Sequence, residues 1–201
     1  MFYLPLTDRA ALHPLAPWQA AEFADFVARA RTHLAPWLPW AHTVTDTDTA
    51  RAFLQRYADA QARDAGSIHG IRLDGKLVGG TLFRTFDPAA GVCEIGVWLA
   101  PEAEGHGLVT RAAQRMIDWA LGERGLARVE WRTVPHNARS QAAARRLGMT
   151  RDGVLRAAFP FLGERLDIEV WSLLATEWRP ARPAADAQEE RTGVGGAHVR
   201  R

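Results

Sequence analysis

Apolar residues in the first third of the chain recur at helical spacing. Phe23, Phe26, Val27, Ala30 and Leu34 mark one face of a helix from about Pro17 to His33, and Pro17 suits a first helical position. The two prolines of Leu34-Ala35-Pro36-Trp37-Leu38-Pro39-Trp40 break that helix. A second helix is predicted over about 49–64, with Phe53, Leu54 and Tyr57 on one face and Asp46 or Asp48 as its cap. The pattern then changes to that of strands. Ser67 to Leu73 and Lys76 to Phe86 flank Asp74-Gly75, a tight-hairpin signal, and Val92 to Leu99 follows the Asp87-Pro88 turn. After a polar, glycine-bearing stretch from Ala100 to Leu108, the apolar stripe of Val109, Ala112, Ala113, Met116, Ile117, Ala120 and Leu121 predicts a helix over about 110–121. A strand from Arg128 to Val134, a helix over about 137–147 capped by Gly148, and an antiparallel pair, Val154 to Phe161 and Leu166 to Leu174, complete the order. Helices, antiparallel strands, then strand-helix-strand predict an α/β sandwich around a mixed sheet.

With 201 residues the chain suits one domain, or a domain with a tail. Apolar residues at 47% and charged residues at 24% make an ordinary globular balance. No apolar run approaches the ~20 residues of a membrane helix, and Met1 to Arg9 lacks the basic flank and apolar stretch of a signal peptide. Cys93 is the one cysteine, which excludes a disulfide framework, and the seven histidines show no metal-type pairing. The expectation is a cytoplasmic protein with no membrane partner and no metal. The formal charge of +2 arises after Trp178, where five arginines face three acids. Residues 1–178 balance at zero, so no basic footprint suggests a nucleic-acid partner. Residues 179–201 lack a periodic apolar face and are expected to form a flexible polar tail on a domain of residues 1–178.

The strongest chemical signal is the passage from strand to helix through Glu94-Ile95-Gly96-Val97-Trp98-Leu99 and Glu104-Gly105-His106-Gly107-Leu108-Val109-Thr110. A glycine-bearing loop running into a helix gathers backbone N–H groups and the positive end of the helix dipole, a setting that suits phosphate. The sole lysine, Lys76, follows Gly75 and precedes Leu77, so there is no P-loop. Thr110 stands where a dinucleotide fingerprint needs glycine, and no serine lies in a Gly-x-Ser-x-Gly elbow.

These segments, with Pro135-His136-Asn137-Ala138-Arg139-Ser140 leading to Arg146-Leu147-Gly148-Met149, stand in the order of the GNAT acyltransferase superfamily. Trp37-Leu38-Pro39-Trp40 and the ending from Leu166 to Leu174 resemble its RimJ/RimL-type protein N-acetyltransferase branch. The resemblance covers about residues 10–178. It implies a mixed, mostly antiparallel sheet flanked by helices and splayed at its central strands, with acetyl-CoA as acyl donor and an amine as acceptor. The family's pyrophosphate loop reads Gln/Arg-x-x-Gly-x-Gly/Ala. Here Glu104 stands for Gln or Arg and Val109 for the small last residue, two departures that could weaken CoA binding. The branch contains ribosomal-protein acetylases, small-amine acetylases and users of other acyl-CoA donors such as succinyl-CoA. A catalytically silent CoA-binding module is the alternative of another class, and dimers are common among similar proteins.

Carried over residue by residue, the resemblance assigns Val97, Trp98 and Leu99 to the pantetheine arm. It assigns Glu104, Gly105, His106, Gly107, Leu108, Val109 and Thr110 to the phosphates. Asn137 matches a cofactor contact and also suits a helix N-cap. Ser140 matches the position proposed to protonate the leaving thiolate, and a solvated first-turn serine is its other reading. An ammonium cannot attack a thioester, so a base is needed. Glu94 is the first candidate, with Asp167 and Glu169 as alternatives. The N–H of Val97 or Trp98 could meet the developing oxyanion. Trp37 and Trp40 read as a lid over the acceptor site or as caps on the core, and Asp167 is grouped with them on the acceptor side. Strand alternation turns Cys93 away from Glu94, and Cys93 reads as a core residue.

Overall fold

A computed structural model describes residues 3–179. The tail expected over residues 179–201 lies, apart from Arg179, outside the described residues. Among the described residues, eight strands form one sheet in the order β1-β2-β3-β4-β5-β6-β8-β7. They are β1 (Leu4–Pro5), β2 (Ala10–Pro14), β3 (Ser67–Leu73), β4 (Lys76–Asp87), β5 (Val92–Leu99), β6 (Arg128–Thr133), β7 (Thr150–Phe161) and β8 (Glu164–Leu174). Every neighbouring pair is antiparallel except β5 with β6.

The helices are α1 (Ala20–Leu34), entered through a 3₁₀ turn at Pro17–Gln19, the short α2 (Trp40–Thr43), α3 (Thr47–Ala62), α4 (Leu108–Ile117) and α5 (Ala138–Arg146). Asp46 caps α3, accepting from the Thr49 N–H at 2.8 Å, an interaction typically worth about 1 kcal/mol. One wider, π-type stretch, Asp118–Glu123, continues α4. Trp178 closes this region by packing on Gly122 while its Nε1 donates to Asp118 Oδ1 at 2.9 Å.

Strand alternation divides the core between two faces. Leu82 and Trp98 pack under α1 and α3 with Phe23, Phe53 and Leu54. Phe83 and Ile95 pack under α4 and α5 with Met116, Ile117, Ala144 and Leu147. Each such large apolar side chain contributes about 1.5–3 kcal/mol on burial.

The central hairpin and the third strand have the predicted bounds to within a residue. Two short N-terminal strands and α2 were not predicted. Ala10–Pro14 buries consecutive residues rather than alternate ones, so it carries no period of two. Helix α4 begins two residues earlier than the apolar stripe suggests, because Gly107 in the left-handed region turns the chain directly into it. Strand β7 begins four residues earlier than predicted, since its polar opening is recruited by pairing with Trp171 and Ser172 of β8.

Candidate active site

The parallel pairing of β5 with β6 runs from Val92↔Arg128 to Ile95↔Trp131 and stops, while β5 continues to Leu99. The last part of β5 therefore has a paired edge toward β4 and an open edge toward β6. The Ala100 N–H donates to Val78 O at 2.8 Å on the β4 side. By two-residue alternation the Trp98 amide faces β4 as well, and Val97 and Leu99 turn their N–H and C=O groups to the open edge. The opening leads into a cavity of about 820 Å³. The segment Trp37–Trp40 walls one part of it, and Leu155, Phe159 and Ile168 of the β7–β8 hairpin wall another.

The glycine loop lies on this cavity. Gly105 and Gly107 have φ of +82° and +68°, a region costly for other residues. A Cβ at Gly105 would meet nothing within 4 Å, and at Gly107 only Arg111 Nε at 4.0 Å, so the loop backbone lies open to a ligand. The amides of Leu108, Val109 and Thr110 belong to the first turn of α4 and have no intrahelical acceptor. Among the predicted donor-binding residues, His106 alone is not part of the lining. It is exposed, and its Nδ1 lies 3.0 Å from Glu104 O on its own loop. Glu104 does not stand as a bare charge: Arg139 Nη1 donates to its Oε1 at 2.6 Å, and His33 Nε2 lies 3.2 Å from the same oxygen. Val109 lines the cavity and also packs against the α4–α5 core, which accounts for its bulk.

Glu94 is buried on the lining, with Arg84 Nε at 3.7 Å and Arg132 Nε at 3.6 Å. Burial pushes its carboxyl above the usual range, Arg84 and Arg132 pull it back, and Glu130 pushes it up again. Cys93 points to the other face, and burial pushes its thiol up to about 12, so it is no nucleophile. Asn137 caps α5, its Oδ1 accepting the Ser140 N–H at 3.0 Å, and it lines the cavity too. The Ser140 hydroxyl oxygen accepts from Trp131 Nε1 at 2.9 Å. That bond occupies an oxygen lone pair and leaves the hydroxyl hydrogen available to another group.

Asp167 and Glu169 are held elsewhere. Asp167 is exposed and outside the lining, contrary to its placement with the acceptor-side residues. Its Oδ1 accepts from the Ala157 N–H at 2.7 Å, where β7 carries an irregularity opposite β8. Glu169 is buried but accepts from Arg151 and from Trp171 Nε1. The two expected tryptophans differ: Trp40 packs among Phe23, Phe53 and Trp98, whereas Trp37 is partly exposed beside His136. Both line the cavity. Sequence reasoning missed Arg84, Arg132 and Tyr57 around Glu94, and the Trp131–Ser140 bond. No local signal announces them, since each depends on which strands and helices meet.

A family model described as the acetyltransferase (GNAT) domain matches residues 12–150. YdaF of Bacillus subtilis (strain 168), whose name carries a provisional ribosomal N-acetyltransferase assignment, is 30% identical over 183 residues, covering 89% of this chain and 98% of that protein. The solved structure of RimL, a ribosomal L7/L12 α-N-protein acetyltransferase in complex with coenzyme A, superposes with a TM-score of 0.81 at 20% identity, over 86% of this chain and 97% of that one. The microcin C7 self-immunity acetyltransferase MccE, in complex with acetyl-CoA and AMP, gives a TM-score of 0.79 at 25% identity, over 84% and 94%.

Proposed function

The chain belongs to the GNAT acetyltransferase domain family, and from that premise we propose that it transfers an acetyl group from acetyl-CoA to the α-amino group of a protein or peptide. The observation that carries this reading is the open edge of β5 beyond Ile95. It brings Val97, Glu94, Ser140 and the glycine loop onto one cavity. The residues fit a long phosphorylated donor: the loop leaves open space where Cβ atoms would stand, and the first-turn amides of α4 that follow it have no intrahelical acceptor.

When bound, the donor supplies an acyl thioester that an unprotonated amine can attack. The first-turn amides of α4 and the backbone of Gly105 to Gly107 hold its phosphates. Val97 and Leu99 offer an unpaired strand edge to its arm. Glu94 takes the proton of the acceptor ammonium, directly or through water. An α-amino group has a pKa near 7.7–8.0, far below that of a lysine, and a carboxylate raised by burial is matched to it more closely than an ordinary one. The Val97 N–H is the donor for the oxygen that gains charge, because the Trp98 amide is turned to β4. The Ser140 hydroxyl, oriented by Trp131, passes a proton to the departing sulfur and regains one from the second proton that the nitrogen loses as the amide forms. Trp37 and Trp40 wall the acceptor side.

RimL and YdaF support the protein acceptor by their names; MccE is named for microcin C7 self-immunity and not for a ribosomal protein, and acylation of a small amine is the second reading. Among the described residues no helix is long and apolar enough to cross a membrane, and a cytoplasmic site of action, as a monomer or homodimer, is part of the proposal. The test is thiol release from acetyl-CoA, and in parallel from succinyl-CoA, with N-terminal peptides set against small amines. Turnover confined to peptides is the expected result. Turnover confined to small amines overturns the acceptor assignment, and tight CoA binding with no acceptor at all overturns the catalytic one.

A further inference from the structure

The acid of the glycine loop is held by side-chain nitrogens from two other elements. Arg139 Nη1 donates to Glu104 Oε1 at 2.6 Å, and His33 Nε2 lies 3.2 Å from the same atom. His33 comes from α1, Glu104 precedes α4, and Arg139 sits in the first turn of α5. All three line the cavity.

The pair does not arise from core packing, since the Arg139 side chain is 75% exposed. Exposed ion pairs add little to stability, so folding gives no strong reason for it. Its position gives a reason. Glu104 directly precedes Gly105, and a bare carboxylate there would repel the phosphates that the loop amides attract. At contact distance such a charge is felt even at a half-exposed site, where added salt screens it.

We propose that Arg139 neutralises Glu104 and so makes the glycine loop permissive for the phosphates of CoA. This rests on the acyl-CoA reading of the cavity. Arg139 then acts through Glu104 and is a positioning residue, not a direct ligand. The chain tolerates an acid at the loop because α5 brings a matching cation to it.

The test is calorimetric binding of CoA, dephospho-CoA and pantetheine to the full chain and to three variants. Arg139→Met is expected to weaken CoA by about tenfold, and Glu104→Gln to strengthen it a few-fold, both effects shrinking as salt rises. The double variant is expected within about threefold of the wild type, because the two charges are coupled and not additive. Loss with both CoA and dephospho-CoA places the effect at the pyrophosphate; loss with CoA alone places it at the 3′-phosphate; either supports the proposal. Pantetheine, which lacks these groups, is expected to bind all forms alike. Ligand-free melting temperatures check folding, and Arg139→Lys, which keeps the charge, is expected to stay near wild type. A double variant as weak as Arg139→Met overturns the proposal and makes Arg139 a direct ligand. Arg139→Met equal to wild type overturns it as well. A wild-type chain that binds pantetheine, CoA and dephospho-CoA not at all overturns the acyl-CoA reading, and this inference with it.

Discussion

Two glutamates line one cavity, each with an arginine close to its carboxylate, and their surroundings differ in the respect that matters for chemistry. Glu94 is buried on a strand, its side chain 11% exposed, with Arg84 and Arg132 standing off at 3.7 and 3.6 Å. Among the described residues its carboxylate accepts no hydrogen bond. Glu104 is on a loop, its side chain 37% exposed, and is bonded to Arg139 at 2.6 Å. A carboxylate with its oxygens uncommitted, raised by burial and only partly restrained by distant cations, can take a proton and release it. A carboxylate already hydrogen-bonded to a guanidinium has its charge compensated at contact distance and serves as a strut or a charge balance. A carboxylate beside an arginine thus suits different work according to distance and burial.

The largest effect that tests this contrast belongs to Glu94. Glu94→Gln keeps the shape and removes the proposed base. It is expected to lower kcat by about 10²–10⁴-fold at neutral pH and to recover as pH rises toward the pKa of the amine. The wild-type rate should fall as pH drops, because the ionised form is the active one. Since burial holds the folded carboxyl above its ordinary value, that fall should begin at higher pH than for an ordinary glutamate. A pH-independent loss in Glu94→Gln would make Glu94 a strand support instead.

At the loop, Gly107→Asp puts a side chain and a negative charge into a left-handed position beside the open amides. It is expected to abolish the rise in melting temperature with acetyl-CoA, a stabilisation of about 2.7 kcal/mol at a hundredfold excess of ligand over Kd. An unchanged shift in a folded variant would remove the loop from the donor site. Ser140→Ala is expected to lower kcat about tenfold to a hundredfold with unaltered CoA affinity, since a proton to sulfur matters only in the transition state. Equal changes in Kd and kcat would instead assign the Trp131–Ser140 bond to shaping the cavity.

The smallest effect separates the two glutamates most sharply. Arg84→Met removes a charge that lowers the Glu94 pKa, so the acid limb of the pH–rate profile should move to higher pH while CoA affinity stays fixed. Glu104→Gln should do the reverse, altering CoA affinity and leaving the acid limb in place. A common response in both variants would erase the distinction.

The sequence alone determined much of this molecule. Asp74-Gly75 announces its hairpin through turn chemistry, the stripe from Val109 to Leu121 announces α4 through its period, and alternation at Cys93 and Glu94 assigns them to opposite faces. These are short-range properties of adjacent residues, so they can be read without knowing the fold. The glycine loop is legible for the same reason, because a loop that enters a helix exposes its own amides. Tertiary structure decided which of the marked residues share a cavity. Asp167 carries the same carboxylate as Glu94, yet it is spent on the Ala157 amide of β7, and His106 folds onto its own loop. The Arg84 and Arg132 approaches to Glu94, the Trp131 bond to Ser140 and the Arg139 bond to Glu104 all cross between elements. Their existence depends on where β5 and β6 part and on where α5 lies against the loop, and that is settled by burial of the core across long stretches of chain, not by any local pattern.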